Sequence, residues 1–343
     1  MKYQSQMIRE TQKGKVSSVW MECVMFLPVY FVLEMIKGVM LFVAAFIAIF
    51  RTDIVEIAMS GEVSTQAYNR IVAEVIADPL VAATLLLSCV VTVVGVIFFC
   101  VKVRNRSLAS MGIVKKKAVR KYLLGCLIGA GMLAAVFGLL ALNGNVSSIQ
   151  YNGLSVWLFV FFVGFLMQTA SEELLMRGYL MNSISARGGA TLGIVLNTVI
   201  FTALHLFNPG MTALSLFNIA LLGVIFSLLF LLTENIWVVS GLHFCWNFLS
   251  ACFTGSGIGD ISFRPVFSIY LTETKSFLGL DIGVAGNDLA APLVALIVLA
   301  VLVVLVARKK KNQVPEPRLE DEEQPQPSQE SWGELPASIS AEI

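Results

Sequence analysis

The sequence predicts an all-α fold, a polytopic membrane helix bundle of about eight transmembrane helices. Three observations lead there. Of the 343 residues, 57% are hydrophobic and 14% charged, with a mean hydropathy of +0.80, whereas soluble domains carry about 25% charged residues. The apolar residues fall into eight runs: 21–50, 80–101, 122–142, one from 154 into the paired glutamates, 190–206, 213–232, 236–253 and 289–307. Lysines and arginines gather at one set of run ends, as they do on the cytoplasmic side of a membrane.

Taken in order, residues 1–19 form a polar segment with Lys2, Arg9, Lys13 and Lys15. The run that follows is far longer than a signal peptide's apolar region of about 7–15 residues, so it predicts a retained anchor. Within it Glu34 and Lys37, three apart, predict a local structural pair. Residues 51–79 are mixed in charge and predict a loop with a surface helix. After the second run come Lys102, Arg104, Arg106, Lys115, Lys116, Lys117, Arg120 and Lys121, the strongest cytoplasmic marker in the chain. The third run leads to an uncharged turn, 143–153.

The chain therefore divides into a cytoplasmic segment (1–19), three spans with their loops (20–153), a core of four spans (154–253) and an external loop with the last span (254–311). A disordered acidic tail (312–343) completes it, rich in Pro, Gln, Glu and Ser. Arg308, Lys309, Lys310 and Lys311 stop the last span. An even number of spans and this charge bias predict a multi-pass protein of the plasma membrane with both termini cytoplasmic. No basic domain points to nucleic acid. The six cysteines form no CxxC pair and predict packing thiols rather than disulfides or a cysteine zinc site.

Residues 171–180, SEELLMRGYL, break the apolar pattern of the fourth span. Ionisable groups in spans are rare and mark functional sites by default. On a helix Glu173 and Arg177 lie four apart on one face, in the favourable order for pairing. Glu172 is rotated from Glu173 by about 100°, so it points elsewhere and stays free to handle protons. Both histidines of the chain, His205 and His243, fall in spans. His205 shares a face with Phe201 four residues before it, and His243 with Asn247 four residues after it. Three helices can thus direct a carboxylate, two imidazoles and an amide into one cavity. That set suits hydrolysis: a poorly solvated carboxylate and a histidine activate water, and an imidazole and an amide donate to the developing oxyanion.

The stretch 154–253 resembles the CPBP family of intramembrane proteases, the group of type II CAAX prenyl endopeptidases and bacteriocin-processing or Abi proteins. Its three motifs occur here in order: EExxxR as Glu172, Glu173 and Arg177, FxxxH as Phe201 and His205, and HxxxN as His243 and Asn247. The resemblance implies peptide-bond hydrolysis within the membrane, with Glu172 and His205 activating water and His243 and Asn247 stabilising the oxyanion. Glu173, Arg177 and Phe201 support them. The expected partners are the lipid bilayer and a peptide or membrane-protein substrate.

No cofactor is expected, because HExxH is absent and the histidines lie on different spans. The alternative is zinc held through Glu172, His205 and His243, whose ligand types match a His₂Glu site. Two other classes use the same polar core: a non-catalytic scaffold or bacteriocin-immunity protein, and a proton-coupled transporter.

Overall fold

A computed structural model describes residues 5–52, 54, 64–206, 208, 211–254, 264–272, 275–277, 280–282 and 290–312. The short helix α1 (Gln6–Gln12) precedes α2 (Val19–Ile49), a surface helix α3 (Thr65–Ala77), α4 (Pro79–Val103) and α5 (Ala118–Leu142). Strand β1 (Val146–Tyr151) leads into α6 (Trp157–Gly188), α7 (Ala190–Leu204), α8 (Ala213–Thr233) and α9 (Ile236–Thr254). Strands β2 (Phe267–Leu271), β3 (Lys275–Phe277) and β4 (Leu280–Ile282) come before α10 (Ala290–Asn312). The acidic tail and most of the loop 255–288 lie outside the described residues.

Short polar side chains set several helix starts by accepting the unpaired N–H groups of a first turn. Ser64 Oγ accepts from Ala67 N at 3.1 Å and Asp78 Oδ1 from Leu80 N at 2.7 Å, with Pro79 as the first helical residue of α4. Thr212 Oγ1 accepts from Ser215 N at 3.1 Å, and Asn235 Oδ1 from Trp237 N at 3.0 Å. Gly189, at φ +84°, makes the sharp junction between α6 and α7.

Among the described residues seven helices are long and apolar enough to cross a membrane: α2, α4, α5, α6, α8, α9 and α10. The protein is an integral, multi-pass, all-α bundle. The fifth apolar run, 190–206, forms α7, whose 15 residues reach about 22 Å against a hydrocarbon thickness of about 30 Å. It therefore ends short of a full crossing, and His205 follows its last turn.

The bundle is centred on α9, of whose apolar window 72% is buried, and α2 lies at the rim with 17%. Helix α5 packs on α9 with backbones almost touching. An added Cβ would sit 2.0 Å from Val238 O at Gly125, 2.5 Å from Leu242 O at Gly129 and 2.1 Å from Tyr122 O at Gly241. Small residues four apart permit this approach, which dispersion between close backbones rewards where lipid offers no hydrophobic drive. On the far side Asn197 Nδ2 donates to Ser227 Oγ at 3.1 Å, tying α7 to α8.

Two expectations need correction. The stretch 143–153 is not only a turn: it contains β1, antiparallel to β2 in the register Ser148↔Tyr270 and Tyr151↔Phe267. Its partner lies more than a hundred residues away, beyond any local pattern. Arg104 and Arg106 are not exposed members of a charged loop. Both are buried, Arg104 in an ion pair with the buried Glu22. Arg106 donates to Gly178 O at 2.8 Å, Ser183 Oγ at 3.0 Å and Thr11 Oγ1 at 3.2 Å, joining α1 and α6 to the loop before α5.

The glycine contact gives a direct test. Gly125→Leu or Gly241→Val is expected to destabilise the detergent-solubilised protein by about 1–3 kcal/mol through overpacking. Gly138→Leu is expected to change little, since an added Cβ there meets nothing within 4 Å. Thermal unfolding followed by size-exclusion chromatography separates the two.

Candidate active site

The site begins on α6, where the chain must carry charge through an apolar environment. Immediately after Glu173 the helix widens into a π-helical stretch, Leu174–Met181, with every side chain buried. Such wide turns accompany functional sites. Here the Gly178 carbonyl accepts from the Arg106 guanidinium, a donor from outside the helix.

Glu173 and Arg177 form the expected pair, Arg177 Nη1 donating to Glu173 Oε1 at 2.8 Å with both side chains fully buried. The same Oε1 stands 2.8 Å from His243 Nδ1, so the carboxylate takes the Nδ1–H of the imidazole on α9. Arg177 Nη2 reaches Gly223 O at 3.3 Å on α8. The guanidinium lies 4.6 Å from the Phe201 ring centre and 5.2 Å from that of Phe226, an arrangement that favours a cation over both rings.

Glu172 faces the other way, its side chain 31% exposed. Gln168 Nε2 donates to its Oε1, one turn back on α6, and Asn247 Nδ2 donates to Gln168 Oε1 at 3.2 Å. Glu172 Oε2 is 3.7 Å from His243 Nε2. The imidazole of His243 thus lies between the two glutamates, hydrogen-bonded to Glu173 through Nδ1 and with Nε2 turned towards Glu172.

His205 sits at the C-terminal end of α7, where carbonyls lose their helical partners. Its Nδ1 bonds Phe201 O at 2.8 Å, which leaves Nε2 as the acceptor nitrogen. The ring packs edge-on to Phe201 with centres 4.7 Å apart.

Glu172, His205, His243, Asn247 and Phe201 all line one cavity of about 500 Å³. Glu173 and Arg177 are packed behind its wall. The hydrogen bond described for Glu172 is from Gln168 on its own helix, which in turn accepts from Asn247 on α9, while His205 shares the cavity. A branch of about 200 Å³, bounded by Tyr30, Glu34 and Lys37 of α2, also opens on Glu172 and His205.

Two lining residues escape the motif reading. Gln168 was legible as the sole amide in an apolar run, one turn before Glu172. Lys37 does pair with Glu34, Nζ lying 2.9 Å from Oε1 and 3.1 Å from Oε2, yet it also lines the cavity. A purely local reading of that pair misses its second neighbour. Among the described residues no three His, Cys, Asp or Glu side chains are grouped to hold one metal ion.

Residues 153–249 match the family model described as Rce1-like: Type II CAAX prenyl endopeptidase Rce1-like. The matched stretch is the one that carries all three motifs, and it bears out the resemblance to the CPBP and CAAX protease group. No curated protein and no solved structure matches the chain.

The two glutamates should respond differently to substitution. Arg177→Ala leaves Glu173 buried without its cation and is expected to cost about 3–5 kcal/mol, read as a loss of monodisperse protein after membrane extraction. Glu172→Gln, at a part-exposed position, is expected to retain wild-type yield. Equal loss in both variants contradicts this division of roles.

Proposed function

We propose that this protein is an intramembrane glutamate-dependent endopeptidase that hydrolyses a peptide bond of a membrane-associated protein or peptide. The observation that carries the reading is convergence. A carboxylate, two imidazoles and two amides from three helices meet in one cavity inside the apolar bundle. The match to type II CAAX prenyl endopeptidases supports a protease of that general kind.

In this reading a water in the cavity stands between Glu172 and the Nε2 of His205. Glu172 takes its proton as the oxygen attacks the substrate carbonyl, and later returns a proton to the leaving amide nitrogen. His205 is held by Phe201 O, with its acceptor nitrogen free to orient the water. Asn247 has a second N–H beyond the one given to Gln168. It donates to the tetrahedral oxyanion, as does His243 Nε2–H in the protonated form of that ring. Glu173 and Arg177 fix His243 from behind and do not touch substrate. No metal enters these steps.

The substrate class proposed is a polypeptide that reaches the cavity from the bilayer, and nothing in the site requires it to be prenylated. Exposed Lys102, Lys115, Lys116, Lys117 and Arg120 support cytoplasmic placement of the loop before α5.

The test is cleavage of a membrane-peptide library by purified protein in liposomes, with and without a chelator. Glu172→Gln and His205→Ala are each expected to lower cleavage by about a hundredfold or more, and the chelator is expected to have no effect. Chelator-sensitive cleavage would revive the zinc site. A folded wild type that cleaves no member would turn the reading towards a scaffold or immunity role.

A further inference from the structure

The pair Glu34–Lys37 on α2 lies outside the stretch that matches the protease family, residues 153–249. A lone lysine within a span ordinarily extends its stem towards the interface. Lys37 does not. Residue 37 follows the start of α2 by 18 positions, about 27 Å along the axis, and its side chain is held by both oxygens of Glu34 with 15% exposure.

Its head group lines both the main cavity and the branch, together with Glu172 and His205. Among the described lining residues of the cavity, Lys37 is the one Lys or Arg. The other candidate cation, Arg177, is spent on Glu173, Gly223 O and the two phenylalanine rings behind the wall. Lys37 and Glu172 line the same two cavities. The titratable groups that line the smaller cavity with Lys37 are Tyr30 and Glu34 on α2, Cys89 on α4, Glu172 on α6 and His205 on α7, and the ammonium bonds Glu34. Charges thus alternate from Glu34 through Lys37 to Glu172.

We propose that Lys37 is a positioning residue of this site, the counter-charge that faces the Glu172 carboxylate across the cavity. Glu34 serves in turn to hold Lys37 inward. The inference rests on the proposed role of Glu172, and it assigns to α2 a part in the reaction that the three motifs do not contain.

The test uses the full chain in liposomes and the library peptide that the wild type cleaves fastest, comparing Lys37→Met, Lys37→Arg and the double variant Glu34→Met/Lys37→Met, with Glu172→Gln alongside. Lys37→Met is expected to lower kcat about tenfold or more, with KM within about twofold. Lys37→Arg is expected to restore most of kcat. The double variant leaves no orphaned charge, so a merely structural pair predicts wild-type kcat there, whereas a positioning role predicts the loss seen in Lys37→Met.

Wild-type kcat in the folded double variant, with Glu172→Gln inactive, overturns the inference and leaves the protease reading intact. A raised KM with kcat preserved overturns it in favour of direct substrate binding by Lys37. Undiminished cleavage by Glu172→Gln defeats the protease mechanism and this inference with it.

Discussion

The Glu173 carboxylate is the point at which the bundle is tied together. One of its oxygens serves both the Arg177 guanidinium and the His243 imidazole, and the guanidinium continues to the backbone of α8 and to rings on α7 and α8. Each buried ion costs several kcal/mol in lost hydration, so the arrangement persists only if all partners are in register. Fixing that one carboxylate consequently fixes the relative placement of α6, α7, α8 and α9. The geometry of the cavity depends on it more than on any single cavity-lining residue.

The same carboxylate explains why two adjacent glutamates have unlike surroundings. Consecutive residues on a helix differ in direction by about 100°. Glu173 turns into the packed interior, where Arg177 and His243 share its Oε1. Glu172 turns into the cavity, where Gln168 supplies a neutral amide and His243 stands at 3.7 Å. His243 reads both environments, hydrogen-bonded to Glu173 through Nδ1 and with Nε2 turned towards Glu172. A ring so held has little rotational freedom, which is what a group acting on a developing charge requires. The short α7 adds the other wall: by ending within the bundle, it brings His205 to the cavity instead of the membrane surface.

Much of this could be read from the chain because the determining relations are local. Four-residue spacing was sufficient for Glu173 with Arg177, and motif order on successive apolar runs brought Glu172, His205, His243 and Asn247 to one place. The parts that could not be read depend on distant partners. Nothing local distinguishes Arg104 and Arg106 from the exposed lysines near them, yet Glu22, Thr11, Gly178 and Ser183 draw them inside. The strand pairing of β1 with β2 joins chain segments more than a hundred residues apart. The π-helical stretch after Glu173 has no composition of its own. Lys37 was concealed by a correct local answer, its pair with Glu34.

Arg106 also bears on how the protein is made. Its principal acceptors, Gly178 O and Ser183 Oγ, lie 72 and 77 residues further along the chain. At synthesis rates of about 5–20 residues per second, they emerge roughly 4–15 s after the arginine does. During that interval the guanidinium must stay at the aqueous face, where it can act with its basic neighbours to orient the nascent helices. Only when α6 arrives can it be drawn inward. The same residue thus belongs by sequence to a basic loop and by structure to the interior, where it joins segments made well apart in time.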